Sequence, residues 1–142
     1  MEPARRLSRL LAFGPVALFG NREEKAAKEG AAQEELDRLI ALPMPELGAE
    51  IMRAFGPNGL QTKSGHRQGP VEITKWLMSD FSRKTKYTQS LLRPVMEGLQ
   101  TLENAGLVQS RGFGDEGAAS TYHATRAGEE ALADGSVAQR LS

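Results

Sequence analysis

Apolar positions recur along this chain in short helical stripes, each closed by Gly or Pro. Leu36, Leu39 and Ile40 form one stripe at the end of residues 23–42, a stretch rich in Glu, Lys, Ala and Gln, which are good helix formers. Leu42-Pro43-Met44-Pro45 ends that helix, because a residue before proline is pushed out of the α region. Leu47, Ile51 and Phe55 repeat every four residues and predict a helix from Pro45 or Glu46 to Phe55. Pro45 suits its first turn and Glu46 the positive end of its dipole. Gly56-Pro57-Asn58-Gly59 stops it, and residues 57–69 read as a long loop. Pro70 opens the next helix, where Ile73, Trp76, Leu77 and Phe81 share one face. That spacing makes Trp76 and Phe81 core residues.

Ser82 to Leu91 is polar and basic, without an acid, and reads as a loop. From Leu92 the apolar pattern returns as Val95, Met96, Leu99 and Leu102, all expected to face inward, and the helix closes at Gly106. Pro94 has no N–H to donate. The regular helix is therefore expected to begin near Leu91 or Leu92, or to kink at Pro94. Gly98, inside this helix, points to close helix packing. Leu107-Val108 leads into a strand, and Gly112, Gly114, Asp115 and Gly117 mark a turn. Thr121-Tyr122-His123-Ala124 reads as the return strand, with Tyr122 and Ala124 inward and His123 outward. Thr125 is placed to cap a short helix through Leu132. The expected organisation is an N-terminal arm and helix over 1–44 serving oligomerisation, a domain over 45–133, and a flexible tail over 134–142.

Composition narrows the chemistry. The 142 residues include no Cys and only two His, His66 and His123. Thiolate and multi-histidine metal sites are thereby excluded, and a reducing, cytoplasmic setting is expected. No apolar run approaches the roughly 18 residues of a spanning helix. The start, with Arg5, Arg6 and Arg9 before an apolar stretch, has a targeting-peptide flavour, but Pro15 splits the stretch and no clear cleavage site follows. An arm used in self-association, with the Leu7, Leu10 and Leu11 stripe, is the preferred reading. Net charge is zero, yet it is segregated: +3 over residues 1–22, −4 over 23–56, +4 over 57–111 and −3 over 112–142. The local field decides whether a surface attracts a polyanion.

The run Leu102-Glu-Asn-Ala-Gly106-Leu-Val108, followed by Tyr122-His-Ala-Thr125-Arg-Ala-Gly128-Glu-Glu-Ala-Leu132, resembles the winged helix-turn-helix domain of MarR- and PadR-type transcriptional regulators. The resemblance covers about residues 46–133. It implies a mainly α fold with a small β-hairpin wing and an N-terminal helical extension. It also implies a recognition helix over about 92–105, a wing over about 107–125, and double-stranded DNA as partner, bound by a homodimer. The departures are the long segment Ser82–Leu91, Pro94 within the third helix, and Asp115 and Glu116 at the wing tip.

On that reading the polar face of the recognition helix carries Arg93, Glu97, Gln100 and Asn104. Arg93 suits guanine, Gln100 adenine and Glu97 cytosine, although any amphipathic helix has a polar face. Arg83, Lys84 and Lys86, with the hydroxyls of Thr85, Tyr87, Thr88 and Ser90, are candidate phosphate ligands, set against the plain alternative of a solvated basic loop. Arg111 is a candidate wing contact, and Lys63, His66 and Arg67 form a weaker basic patch. Four phosphate contacts from Arg83, Lys84, Lys86 and Arg93 predict a log–log salt slope of about −3.6. No catalytic motif is present, so no enzyme, cofactor or small-molecule effector is expected. The alternative function is a winged-helix protein-interaction module without direct DNA binding, favoured by the neutral total charge and the acidic wing tip.

Overall fold

A computed structural model of the chain describes residues 15–60, 68–110 and 121–142. Within them the chain is mainly helical, with one two-stranded antiparallel hairpin. Helix α1 spans Pro15–Ala41 and α2 Met44–Met52, extended by a 3-10 turn at Arg53–Phe55. Helix α3 spans Pro70–Leu77 and α4 Thr85–Asn104. Strand β1 (Val108–Ser110) pairs with β2 (Tyr122–Ala124), and α5 (Arg126–Asp134) and α6 (Val137–Leu141) follow. Among the described residues no helix is long and apolar enough to cross a membrane. The expectations for Leu7, Leu10 and Leu11, for Lys63, His66 and Arg67, and for the hairpin tip from Arg111 to Gly117 lie outside the described residues.

Helix α4 is the spine of the core. Its buried positions Tyr87, Leu91, Val95, Gly98, Leu99 and Leu102 form a seam at helical spacing. Around that seam pack Ala32, Leu36 and Leu39 of α1, Leu47, Ile51 and Met52 of α2, and Ile73 of α3. At Gly98 an added Cβ would run into Ile51 Cδ1 of α2. The missing side chain is what lets the two helices touch, as the sequence predicts.

The helix starts at Thr85 rather than near Leu91, and it runs through Pro94. Residues 85–90 are thus its first turns and not a loop. A mid-helix proline costs about 3 kcal/mol. Burial of Tyr87 and Leu91, each contributing roughly 1.5–3 kcal/mol, offsets that cost.

The end of α4 and the start of α5 are tied together. Gly106 takes the left-handed conformation, with φ 79°, as a helix-terminating residue should. Thr125 Oγ1 donates to the Gly106 carbonyl at 2.6 Å and accepts from the Gly128 amide at 3.0 Å. The Thr125 amide donates to the Leu107 carbonyl at 3.0 Å. At Gly128 a Cβ would strike that same Leu107 carbonyl. The two sequence runs on which the family resemblance rests therefore meet in space. In β2, Tyr122 and Ala124 pack on the core. His123 is half-buried rather than exposed, and its Nδ1 is shut off from solvent with no hydrogen-bond partner among the described residues.

Four further expectations are corrected. Residues 137–141 are a helix and not a loose tail: Val137 is buried, Leu141 lies against Gly48, and α6 packs on α2. Phe81 is exposed, because α3 ends at Leu77 and the chain turns, leaving Met78 to fill the core. Ile40 is exposed beside buried Leu39, one helical step round. Met96 is 51% exposed, because the seam is narrow and the next residue after Val95 already points outward.

Candidate nucleic-acid interface

Met78 anchors the turn between α3 and α4. It is fully buried, and its carbonyl accepts from the Phe81 and Ser82 amides, each at 2.9 Å. Ser82 Oγ then accepts from the Lys84 amide at 3.1 Å. This fixes Arg83 and Lys84 immediately before the first turn of α4. From there the outward face of the helix presents Lys86, Gln89, Arg93, Met96, Glu97 and Gln100, all exposed. Gln89, Leu92, Arg93, Met96, Glu97 and Gln100 line one shallow, open depression on it. Gln100 Nε2 donates to Asn104 Oδ1 at 3.0 Å, one turn further on.

The cations differ in their surroundings. Lys84 is ion-paired with Glu29 of α1. That pairing, with Lys86 and Lys25 nearby, holds the Glu29 carboxyl below its ordinary value and raises the Lys84 ammonium. Lys86 lies 5.0 Å from the centre of the Tyr87 ring. Arg83, Lys86 and Arg93 have no carboxylate partner among the described residues.

Three of the predicted hydroxyl ligands point elsewhere. Tyr87 is 2% exposed and belongs to the core, its Oη directed at the Glu29 carbonyl 3.4 Å away. This corrects its assignment as a phosphate ligand; the signal was its place four residues before Leu91. Thr88 Oγ1 donates to the Thr85 carbonyl and Ser90 Oγ to the Lys86 carbonyl, each at 3.0 Å. Arg111 lies outside the described residues.

Sequence reasoning missed the acidic neighbour. Glu29 sits 55 positions before Lys84, and only the packing of Ala32, Leu36 and Leu39 brings α1 across the start of α4. That packing also buries, within one chain, Leu36 and Leu39 of the helix expected to serve oligomerisation. Side chains of α1 from Arg22 to Ala31 remain exposed apart from half-buried Glu29.

A second surface lies across the molecule's α2–α3–α5 side. Arg38 joins Glu35 of α1 at 2.8 Å to Glu50 of α2 at 3.6 Å, and Glu50 pairs with Arg53 at 3.1 Å. The Arg53 guanidinium lies 5.7 Å from the Trp76 ring centre. Arg53, Trp76, Leu132 and Glu129 border an open cleft there. Trp76 is half-buried and packs on the core. Among the described residues no group of three or more acids and histidines is placed to hold a metal ion. No protein-family model, curated protein or solved structure matches this chain.

Proposed function

We propose that this protein binds double-stranded DNA through a winged helix-turn-helix unit and regulates transcription. Helix α4 is the recognition element and the β1–β2 hairpin the wing. One observation carries the reading. The cations of the α3–α4 turn and of the outward α4 face, Arg83, Lys86 and Arg93, are exposed and have no carboxylate partner among the described residues, next to side chains suited to base edges. The order α2, α3, α4, hairpin, α5 supports it. In this arrangement Arg83 and Lys86 hold phosphates, while Arg93 and Gln100 read bases. Binding as a homodimer to paired half-sites belongs to the proposal, with the exposed part of α1 as the contact. Sedimentation of the purified chain at micromolar concentration tests that element.

Salt dependence tests the main reading. Phosphate contacts from Arg83 and Lys86 give a log–log slope of about −1.8, and recruitment of Lys84 from Glu29 gives about −2.7. A mobility-shift titration on random duplex measures it. No binding at low salt, or binding unmoved by Lys86→Glu, rejects the reading. A second reading, a protein-docking module on the same face, draws on the neutralisation of Lys84 by Glu29. Salt-insensitive capture of a protein partner through Arg93 and Gln100 would favour it.

A further inference from the structure

Met96 stands out on the outward face of α4. It is 51% exposed, and its neighbours around the depression are polar or charged, save for half-buried Leu92. Solvent gives an exposed thioether chain nothing, and the core seam one step away is already filled by Val95 and Leu99. Its place on the helix is informative. Met96 lies three residues after Arg93, on the same face, about 4.5 Å further along the axis. That is about one and a third times the 3.4 Å rise of a base pair, the distance to a neighbouring base step.

From this geometry we infer that Met96 is a specificity residue that recognises the 5-methyl group of thymine, in the base step beside the guanine read by Arg93. The inference rests on the DNA-binding reading and adds the base class at one position. In the major groove, thymine alone among the DNA bases offers a methyl group, and apolar side chains are its partners. Charge complementarity chooses the occupant: Arg93 borders the apolar spot, Arg83 and Lys86 continue the exposed cationic face toward the start of α4, and Glu97 is the one acid bordering the depression. An acidic duplex fits that frame. Gln89 and Gln100, on either side of Met96 along the helix, supply polar contacts to the neighbouring edges.

The test uses a methyl deletion in the DNA. Duplexes retained by the full-length protein from a random pool are sequenced, and Arg93→Ala identifies the guanine position. Each thymine of the retained site is then replaced singly by deoxyuridine, which removes the methyl group and keeps the pairing edge. The expected result is one thymine, adjacent to that guanine, whose replacement weakens binding about fourfold, the worth of one buried methyl-sized group. Met96→Gln should bind the thymine and deoxyuridine duplexes equally. Because Met96 is exposed, the variant should keep its circular dichroism and melting temperature. Replacements that all leave affinity within about twofold, or a Met96→Gln protein that keeps the wild-type preference, overturn the methyl assignment and leave DNA binding standing. A folded protein that retains no duplex at low salt overturns the parent reading and the assignment together.

Discussion

The two ends of α4 make different use of polar groups. At its C-terminal end, Thr125 bridges the Gly106 carbonyl and the Gly128 amide, and Gly128 lies against the Leu107 carbonyl with no room for a methyl group. At its N-terminal end, Arg83, Lys86 and Arg93 face solvent without acidic partners among the described residues, and Lys84 holds one, half-buried Glu29. The junction is closed, and changes there act on folding. The open face contributes little to stability, so on the proposed function changes there act on binding and not on folding. The difference teaches that one helix can serve both purposes when its two ends are treated separately.

The sharpest way to break this comparison is Gly128→Ala. The added methyl group meets backbone, which cannot rotate away, so a loss of about 3 kcal/mol in urea denaturation is expected. A loss under about 1 kcal/mol would show that the junction yields. Next in size is Arg93→Ala. It should erase roughly 1–3 kcal/mol of discrimination at one base pair, read by competition binding, with stability unchanged within about 0.5 kcal/mol. Thr125→Ala removes a helix cap and the bond to Gly106, and should cost about 1 kcal/mol in the same denaturation assay. The smallest effect concerns the acid beside the open face. The Glu29 carboxyl should titrate below its ordinary 4.5 by NMR, and Lys84→Met should return it toward that value. Because its folded-state value is lowered, whatever stability the pair contributes is present above that ordinary value and fades as the pH falls through the lowered one.

Much of the closed junction was legible in the sequence. Gly106 after a periodic apolar run, and Thr125 three residues before Gly128, announce a helix end and a cap by local chemistry alone. Gly98 likewise marked close helix packing, which the structure places against Ile51 of α2. The start of α4 was hidden because two local signals opposed each other. Pro94 argued for a late beginning, whereas Tyr87 and Leu91 continue the seam backward by four residues at a time. Tertiary burial decided the matter, and it also moved the Tyr87 hydroxyl from the candidate site into the core. Met96 was misplaced for the converse reason: counting apolar residues does not say how wide a face the neighbours will cover. The contact of Glu29 with Lys84 had no local signal, since it depends on how α1 lies across α4.

The interleaving along α4 has a practical consequence. Residues 87, 91, 95, 98, 99 and 102 are spoken for by the interior, while 89, 93, 96, 97 and 100 are not. A library randomised at the second set and held constant at the first would vary the outward chemistry of one rigid rod, about 30 Å long, without asking the scaffold to refold around it. Such a scaffold can be handed new preferences one helix turn at a time.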